Sequence, residues 1–300
     1  MVIKLQGCRL KYFMKYKNIL ITGGCGYLAS HVVDQLSKKN YKITIIDKKK
    51  KKYFSQRHKI IIGDITNLKF LIKCLKHQDV VFHFAGDADL YASNKNHLKT
   101  IKNNILGTSN VLEASVKNKI KKFVLASSIY AMSSQGGFYS MSKITSEMLT
   151  EKYAEKFKFK FIILRFGSIY GGRANNFNTI NNFISEAKKN NKIIRKSKGD
   201  EVRNYIHVKD VAKLCEMILN KKYDNGFYNI FGREKSTVLD VLKIIKKELP
   251  KTKIILRKKN KLIYNYKTNP FTYKINPGKI VKLKKYINLS TGIKEIINNK

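Results

Sequence analysis

The chain has 300 residues, with 62 Lys or Arg against 20 Asp or Glu, for a formal charge of +42. Hydrophobic residues make up 43% and charged residues 27%, with 3 Pro and 17 Gly, which can fill a core and excludes wholesale disorder and collagen-like repeats. This length suits one large or two modest domains.

Residues 1–17 carry Lys4, Arg9, Lys11, Lys15 and Lys17 among apolar neighbours. They lack an unbroken apolar stretch and a small-residue cleavage site, so no signal peptide is expected, and Met14 is a candidate start. Asn18–Thr22 is an apolar run ending in glycines, and residues 27–37 then show helical spacing. Residues 42–46 are β-branched and end at Asp47; residues 58–62 form a similar run ending at Gly63-Asp64. A helix over 67–75, a strand over 79–84, a long helix over 97–117 and a strand over 122–126 follow. Residues 139–157 are helical and 160–164 a strand. Such strands alternating with helices specify a parallel sheet covered on both faces, and right-handed crossovers make it doubly wound. Beyond Gly171 the periodicity loosens. Residues 175–182 are Asn-rich and loop-like at their start, 208–219 a helix, Gly226–Ile230 a strand and 236–249 a helix, while Pro250, Pro270 and Pro277 fall in the last quarter. The expected fold is α/β: a doubly wound parallel sheet over 14–172, rejoined by 206–232, and a smaller C-terminal α/β subdomain from 173–205 and 233–300.

The charge admits two readings, a polyanion partner or a bias toward Lys, Asn and Ile. Lysines are spread along the chain, the densest run being Lys48 to Lys52 followed by Tyr53 and Phe54. No helix-turn-helix, zinc-finger or RRM signature is present. Specific nucleic-acid binding is therefore not expected, although weak adhesion to polyanions at low salt is. Cys8, Cys25, Cys74 and Cys215 have no CxxC spacing and no His cluster. They read as small apolar residues in a reducing compartment such as the cytoplasm, with no metal site and no disulfide framework. No apolar run reaches the roughly 18 residues a membrane span needs.

The segment Thr22-Gly23-Gly24-Cys25-Gly26-Tyr27-Leu28-Ala29-Ser30-His31 joins the first strand to the first helix. Gly23 suits the tight turn, Gly26 lets a pyrophosphate approach the backbone, and Ala29 lets helix pack on strand. The anion would sit at the helix N-terminus, where unpaired N–H groups and the dipole favour it. Asp47, closing the next strand, suits the adenosine ribose hydroxyls and would repel a 2′-phosphate, so NAD is expected in preference to NADP, although Lys48 and Lys49 could offset that charge. Asp64 could meet the adenine edge, with a turn or helix cap as its alternative role.

Three YxxxK pairs occur: Tyr91/Lys95, Tyr139/Lys143 and Tyr205/Lys209. With so many lysines chance accounts for that number, so context decides. Only Tyr139 opens a long helix after a strand ending in Ser127-Ser128. Positions i and i+4 share a helix face, so the Lys143 ammonium can stand near the Tyr139 phenol and lower its pKa toward neutrality. Ser128 can hydrogen-bond a reacting sugar oxygen.

These residues make the chain resemble an extended short-chain dehydrogenase/reductase of the NAD-dependent nucleotide-sugar epimerase/dehydratase family, from about Lys17 onward. The resemblance rests on the glycine segment, Val81-Phe82-His83-Phe84-Ala85-Gly86, Asn104-Ile105-Leu106-Gly107-Thr108, Ala126-Ser127-Ser128 and the Tyr139/Lys143 pair. It extends through Leu164-Arg165-Phe166-Gly167-Ser168-Ile169-Tyr170-Gly171 and Arg203-Asn204-Tyr205-Ile206-His207-Val208-Lys209-Asp210-Val211. It implies a Rossmann domain binding NAD over 14–172 and a substrate-binding subdomain. It also implies Ser128, Tyr139 and Lys143 as catalytic residues, and cofactor contacts from Gly23, Gly26, Tyr27, Leu28, Asp47, Asp64 and Ile65. Further along the chain, Phe84, Ala85, Gly86, Asn104 and Ser127 complete those contacts, and Arg203 grips the substrate's phosphates. His207 and Asp210 would organise a turn, and His31 and His83 would be structural.

The family's 4,6-dehydratases carry Asp-Glu directly after the catalytic Ser/Thr; here Ile129 and Tyr130 follow Ser128, which disfavours dehydration. The continuation Ile129-Tyr130-Ala131-Met132-Ser133, Ser168 in place of a frequent Asn, and the short stretch from Ser128 to Tyr139 bear on which sugar is taken. The resemblance thus implies a 4-epimerase-like enzyme supplying surface-polysaccharide precursors and forming a homodimer through the helices over 97–117 and 139–157. A nucleotide-sugar dehydrogenase or reductase, a non-catalytic NAD(P)-binding sensor and a polyanion-binding protein are the alternatives.

Overall fold

A computed structural model describes residues 16–50, 58–175, 177–257 and 264–274. Met14 and most of the basic N-terminal segment, Cys8, Lys51 to Phe54 and Pro277 lie outside the described residues. The first half alternates β1 (Asn18–Thr22), α1 (Tyr27–Leu36), β2 (Lys42–Asp47), β3 (Lys59–Ile62), α2 (Leu68–Cys74), β4 (Val80–His83) and α3 (Leu90–Lys95). Then come α4 (His97–Thr100), a π turn (Ile101–Leu106), α5 (Gly107–Lys117), β5 (Lys122–Ser128), a 3₁₀ turn (Ile129–Met132), α6 (Gly137–Phe157) and β6 (Lys160–Phe166). The chain continues through β7 (Ser168–Tyr170), α7 (Thr179–Asn190), β8 (Lys192–Arg195), β9 (Val202–Arg203), β10 (Tyr205–His207) and α8 (Val208–Met217). It closes with β11 (Gly226–Ile230), β12 (Ser236–Thr237), α9 (Val238–Glu248) and β13 (Lys253–Leu256).

The main sheet has seven parallel strands in the order β11-β6-β5-β4-β1-β2-β3. This is the doubly wound Rossmann arrangement expected from the strand pattern. Strand order reverses between β1 and β4, and a crevice for a ligand opens there at the carboxyl ends of the strands. Alternate side chains along each strand reach opposite faces, which explains the continuous apolar runs. Ile19, Ile21, Phe82, Val124 and Ile162 pack against α1 and α8, whereas Leu20, Val81, Phe123, Leu125 and Ile163 pack against α2 and α5.

The sequence reading assigned neither α3 nor the short strands β7 to β10, β12 and β13, and two further elements differ from it. The expected helix over 97–117 contains a π turn, where buried Asn103 and Asn104 face inward. Such a one-residue excess is usual where a helix must redirect side chains at a site. Helix α7 was not expected from its Asn-rich start. Asn178 caps it by accepting from the Asn181 N–H at 3.2 Å, and Phe183 and Ala187 join Ile193, Val241, Leu242 and Ile245 in a separate small core. Among the described residues no helix is long and apolar enough to cross a membrane.

Candidate active site

The glycine loop is shaped by its own backbone. Gly23 has φ +67°, and a Cβ there would lie 2.7 Å from backbone atoms of Ala85. The Gly26 N–H donates to the Gly23 carbonyl at 2.8 Å and so turns the chain into α1. That helix has no side-chain cap and no acid in its first turn, and Ala29 is buried against the sheet. Its first N–H groups are therefore available to an anion, with a dipole of the right sign. Asp47 holds the loop from the neighbouring strand, accepting from the Cys25 N–H at 3.0 Å and the Lys49 N–H at 3.2 Å.

A cavity of about 470 Å³ lies over the switch point. Gly23, Gly26, Tyr27, Leu28, Asp47 and Ile65 line one end; Phe84, Ala85, Gly86, Ser127 and Ser128 line the middle; and Tyr139 and Lys143 stand at the far end. These residues fit a dinucleotide: an uncapped helix start, a glycine that tolerates no side chain, and a carboxylate at the next strand end.

Two expected contacts are not on this cavity's wall. Asp64 ion-pairs with Lys48 at 3.0 Å and accepts from the Thr66 N–H at 2.9 Å, which is the turn role. Asn104 is buried behind the wall, where it accepts from the Asp87 N–H at 2.6 Å and donates to the Ser142 hydroxyl at 2.9 Å. It braces the loop after β4 against α6. His83 sits between the hydroxyls of Thr22 at 2.7 Å and Thr108 at 3.0 Å, and complete burial pulls its pKa down to about 3. It is a neutral, structural imidazole.

The residues expected to react come from two elements. Parallel pairing between β4 and β6 places Ser127 and Ser128 at the end of β5. Helix α6 brings Tyr139 in its first turn, buried and within hydrogen-bonding reach of the Ser128 hydroxyl. One turn on, the Lys143 ammonium lies 5.9 Å from the Tyr139 ring centroid and donates to the Ala126 carbonyl at 3.0 Å. The expected lowering of the Tyr139 pKa does not appear. Burial disfavours the phenolate and outweighs the Ser128 hydrogen bond, so the phenol stands above its ordinary value. The same burial pulls Lys143 down to about 8, against the upward pull of the Glu147 and Asp87 carboxylates.

A second cavity of about 310 Å³ meets the first at Ser128, Tyr139 and Phe166. Its outer wall carries Arg195, Arg203, Tyr205, Asn265 and Tyr266. Arg203 stacks at 4.0 Å over the Tyr266 ring and donates to the carbonyls of Val202, Tyr266 and Lys267. The Tyr130 hydroxyl donates to Asn265, whose amide donates to the Tyr91 hydroxyl. Sequence reasoning missed Arg195, Asn265 and Tyr266, which no local spacing marks. It also gave no role to Glu147, although an acid one turn beyond Lys143 in so acid-poor a chain was a usable signal.

The model of the NAD dependent epimerase/dehydratase family matches residues 19–230. A Methanocaldococcus jannaschii protein provisionally named UDP-glucose 4-epimerase is 29% identical, over 93% of this chain and 97% of its own length. The Dictyostelium discoideum dTDP-D-glucose 4,6-dehydratase is 31% identical, over 76% of this chain and 61% of its own. Among solved structures, Thermotoga maritima UDP-glucose 4-epimerase with UDP-glucose superposes with a TM-score of 0.76 at 24% identity, covering 84% of this chain and 88% of that one. This last likeness concerns the fold.

Proposed function

We propose, for a chain that belongs to the NAD-dependent epimerase/dehydratase family, that its reaction is the 4-epimerisation of a nucleotide sugar through a transient keto-sugar. The observation that carries this reading is the junction of the two cavities at Ser128 and Tyr139, with Lys143 one turn behind. The first cavity would take NAD along Gly23, Gly26, Asp47 and the end of β4; the second would take the sugar nucleotide, with Arg203 toward its phosphates. When bound, NAD supplies a hydride acceptor that can return what it takes, and in its oxidised form a positive ring.

The protein's own part is proton handling and orientation. Ser128 donates its one hydroxyl proton to the reacting sugar oxygen, and its oxygen accepts from the Tyr139 hydroxyl while that phenol is protonated. The Tyr139 oxygen accepts the proton of the sugar hydroxyl and later gives it back. Lys143 supplies positive charge behind the phenol, whose burial otherwise keeps it protonated. Dehydration would need a carboxylate pair after Ser128, where the chain has a buried Ile129 and a half-buried Tyr130. Asp47 supports NAD over NADP, because a 2′-phosphate would meet its carboxylate while Lys48 is engaged by Asp64. The reading includes a homodimer: Leu98, Leu106, Met141 and Met148 are exposed apolar residues on the 97–117 and 137–157 helices.

Tyr139→Phe tests the reading. Sugar interconversion should fall by at least about 10²-fold with NAD affinity within a few-fold of wild type. Unchanged turnover would remove Tyr139 as the base.

A further inference from the structure

On the reading above, Lys143 works as a buried cation, and a buried cation needs a counter-charge. We propose that Glu147 is the positioning residue that supplies it, with a carboxylate that anchors Ser127 and Arg165 and keeps the Lys143 ammonium charged beside Tyr139.

Glu147 lies one turn after Lys143 on α6 and is 6% exposed. Its Oε1 accepts from the Ser127 hydroxyl at 2.5 Å and from Arg165 Nε at 3.0 Å, and its Oε2 from Arg165 Nη2 at 2.6 Å. Ser127 and Arg165 are direct partners in the β5–β6 register. One carboxylate therefore ties β5, β6 and α6 together at the level of the reacting groups. Pairing Arg165 alone would not require a charge, since a buried ion pair can be replaced by apolar residues at little cost. What distinguishes this site is the second cation.

The titratable and charged groups around Lys143 are few. Glu147 and Tyr139 flank it on its own helix. Asp87 faces it from the loop after β4, and His83, at the end of that strand, is held neutral by burial. Arg165 stands behind Glu147. Of the two carboxylates that favour the ammonium, Glu147 acts more strongly than Asp87, and burial still brings Lys143 to about 8. With the Glu147 charge removed, Lys143 would lose its proton within the neutral range. A role as brace alone predicts no such effect.

The test is Glu147→Gln, which keeps the shape and an acceptor for Ser127. NAD binding to the intact chain would be followed by calorimetry from pH 6 to 9.5, alongside the melting temperature. In the wild type, affinity should weaken above about pH 8. In E147Q the weakening should begin at least about one pH unit lower, making NAD about five- to tenfold weaker between pH 8 and 9 and within twofold at pH 6. Superimposable pH curves would overturn the proposal even if E147Q melts lower. Should E147Q not fold, the double variant E147Q/R165M removes the orphaned guanidinium and must still show a downward displacement, smaller because the guanidinium no longer repels Lys143. NAD binding with the predicted displacement but no sugar turnover would leave this inference standing and remove the epimerase reading. A wild type that does not bind NAD would end both.

Discussion

Lys122 opens β5, yet its side chain is completely buried. Its ammonium donates to the Leu219 carbonyl at 2.9 Å and the Ile218 carbonyl at 3.4 Å, just past α8, and ion-pairs with Asp224 at 2.6 Å. It also lies 5.2 Å from the Tyr16 ring centroid. The lysine thus caps the C-terminal end of α8, where the helix dipole favours a cation, and joins it to the sheet. Lys122→Met keeps the apolar stem and removes the charge. It leaves the Asp224 carboxylate, 13% exposed, without that partner. Breaking one side of a buried pair costs about 3–5 kcal/mol. At roughly 2–4 °C per kcal/mol for a chain of this size, the melting temperature should fall by about 6–20 °C. Denaturant unfolding monitored by circular dichroism should show the loss with an unchanged m-value. The double variant K122M/D224N should recover at least half of it, because the stranded carboxylate is gone. A loss below about 1 kcal/mol in K122M would refute the assignment of this charge to the α8 junction.

Three further outcomes follow. Gly23→Ala places a methyl 2.7 Å from the Ala85 backbone at φ +67°, and should reduce NAD affinity at least about tenfold and destabilise by more than about 2 kcal/mol. Gly172→Ala meets nothing within 4 Å and should be neutral in the same calorimetry and melting experiments. His83 is neutral in the fold down to about pH 3, whereas in the unfolded chain it takes a proton below about 6.5. Its contribution is therefore fully present above about pH 6.5 and lost as pH falls toward 3, by up to about 1.4 kcal/mol per unit. His83→Gln should flatten that acid limb in urea titrations.

The parts of the fold that show in the sequence are those whose burial is two-sided or whose spacing is local. Gly226–Ile230 is a strand with the bounds its β-character suggests, and α6 begins two residues before the expected Tyr139. Helix α7 is masked by its Asn residues, which favour caps and turns, although Ile180, Phe183, Ile184 and Ala187 do have helical spacing. The π turn at Ile101–Leu106 leaves the apolar periodicity almost unchanged, so only the burial of Asn103 and Asn104 reveals it. At the site, the glycine loop and the Tyr139/Lys143 pair are legible because neighbours in sequence set their geometry. The Ser127–Glu147–Arg165 cluster joins three elements through sheet register, and Arg195 and Tyr266 reach the second cavity from separate segments. Asp64, also at a strand end, pairs with Lys48 and accepts from the Thr66 N–H, contacts that the sequence reading allowed as a turn.

The account depends most directly on whether the two adjoining cavities exchange hydrogen between a dinucleotide and a sugar. Purified protein with catalytic NAD and a panel of UDP-hexoses should be followed by proton NMR of the sugar, with absorbance at the reduced-nicotinamide band read in parallel. One of the UDP-hexoses offered should convert to its 4-epimer, reaching the same constant ratio from either side, with no net reduction of NAD. Stoichiometric reduction of NAD, or tight NAD binding with no change in any UDP-sugar offered, would contradict the account.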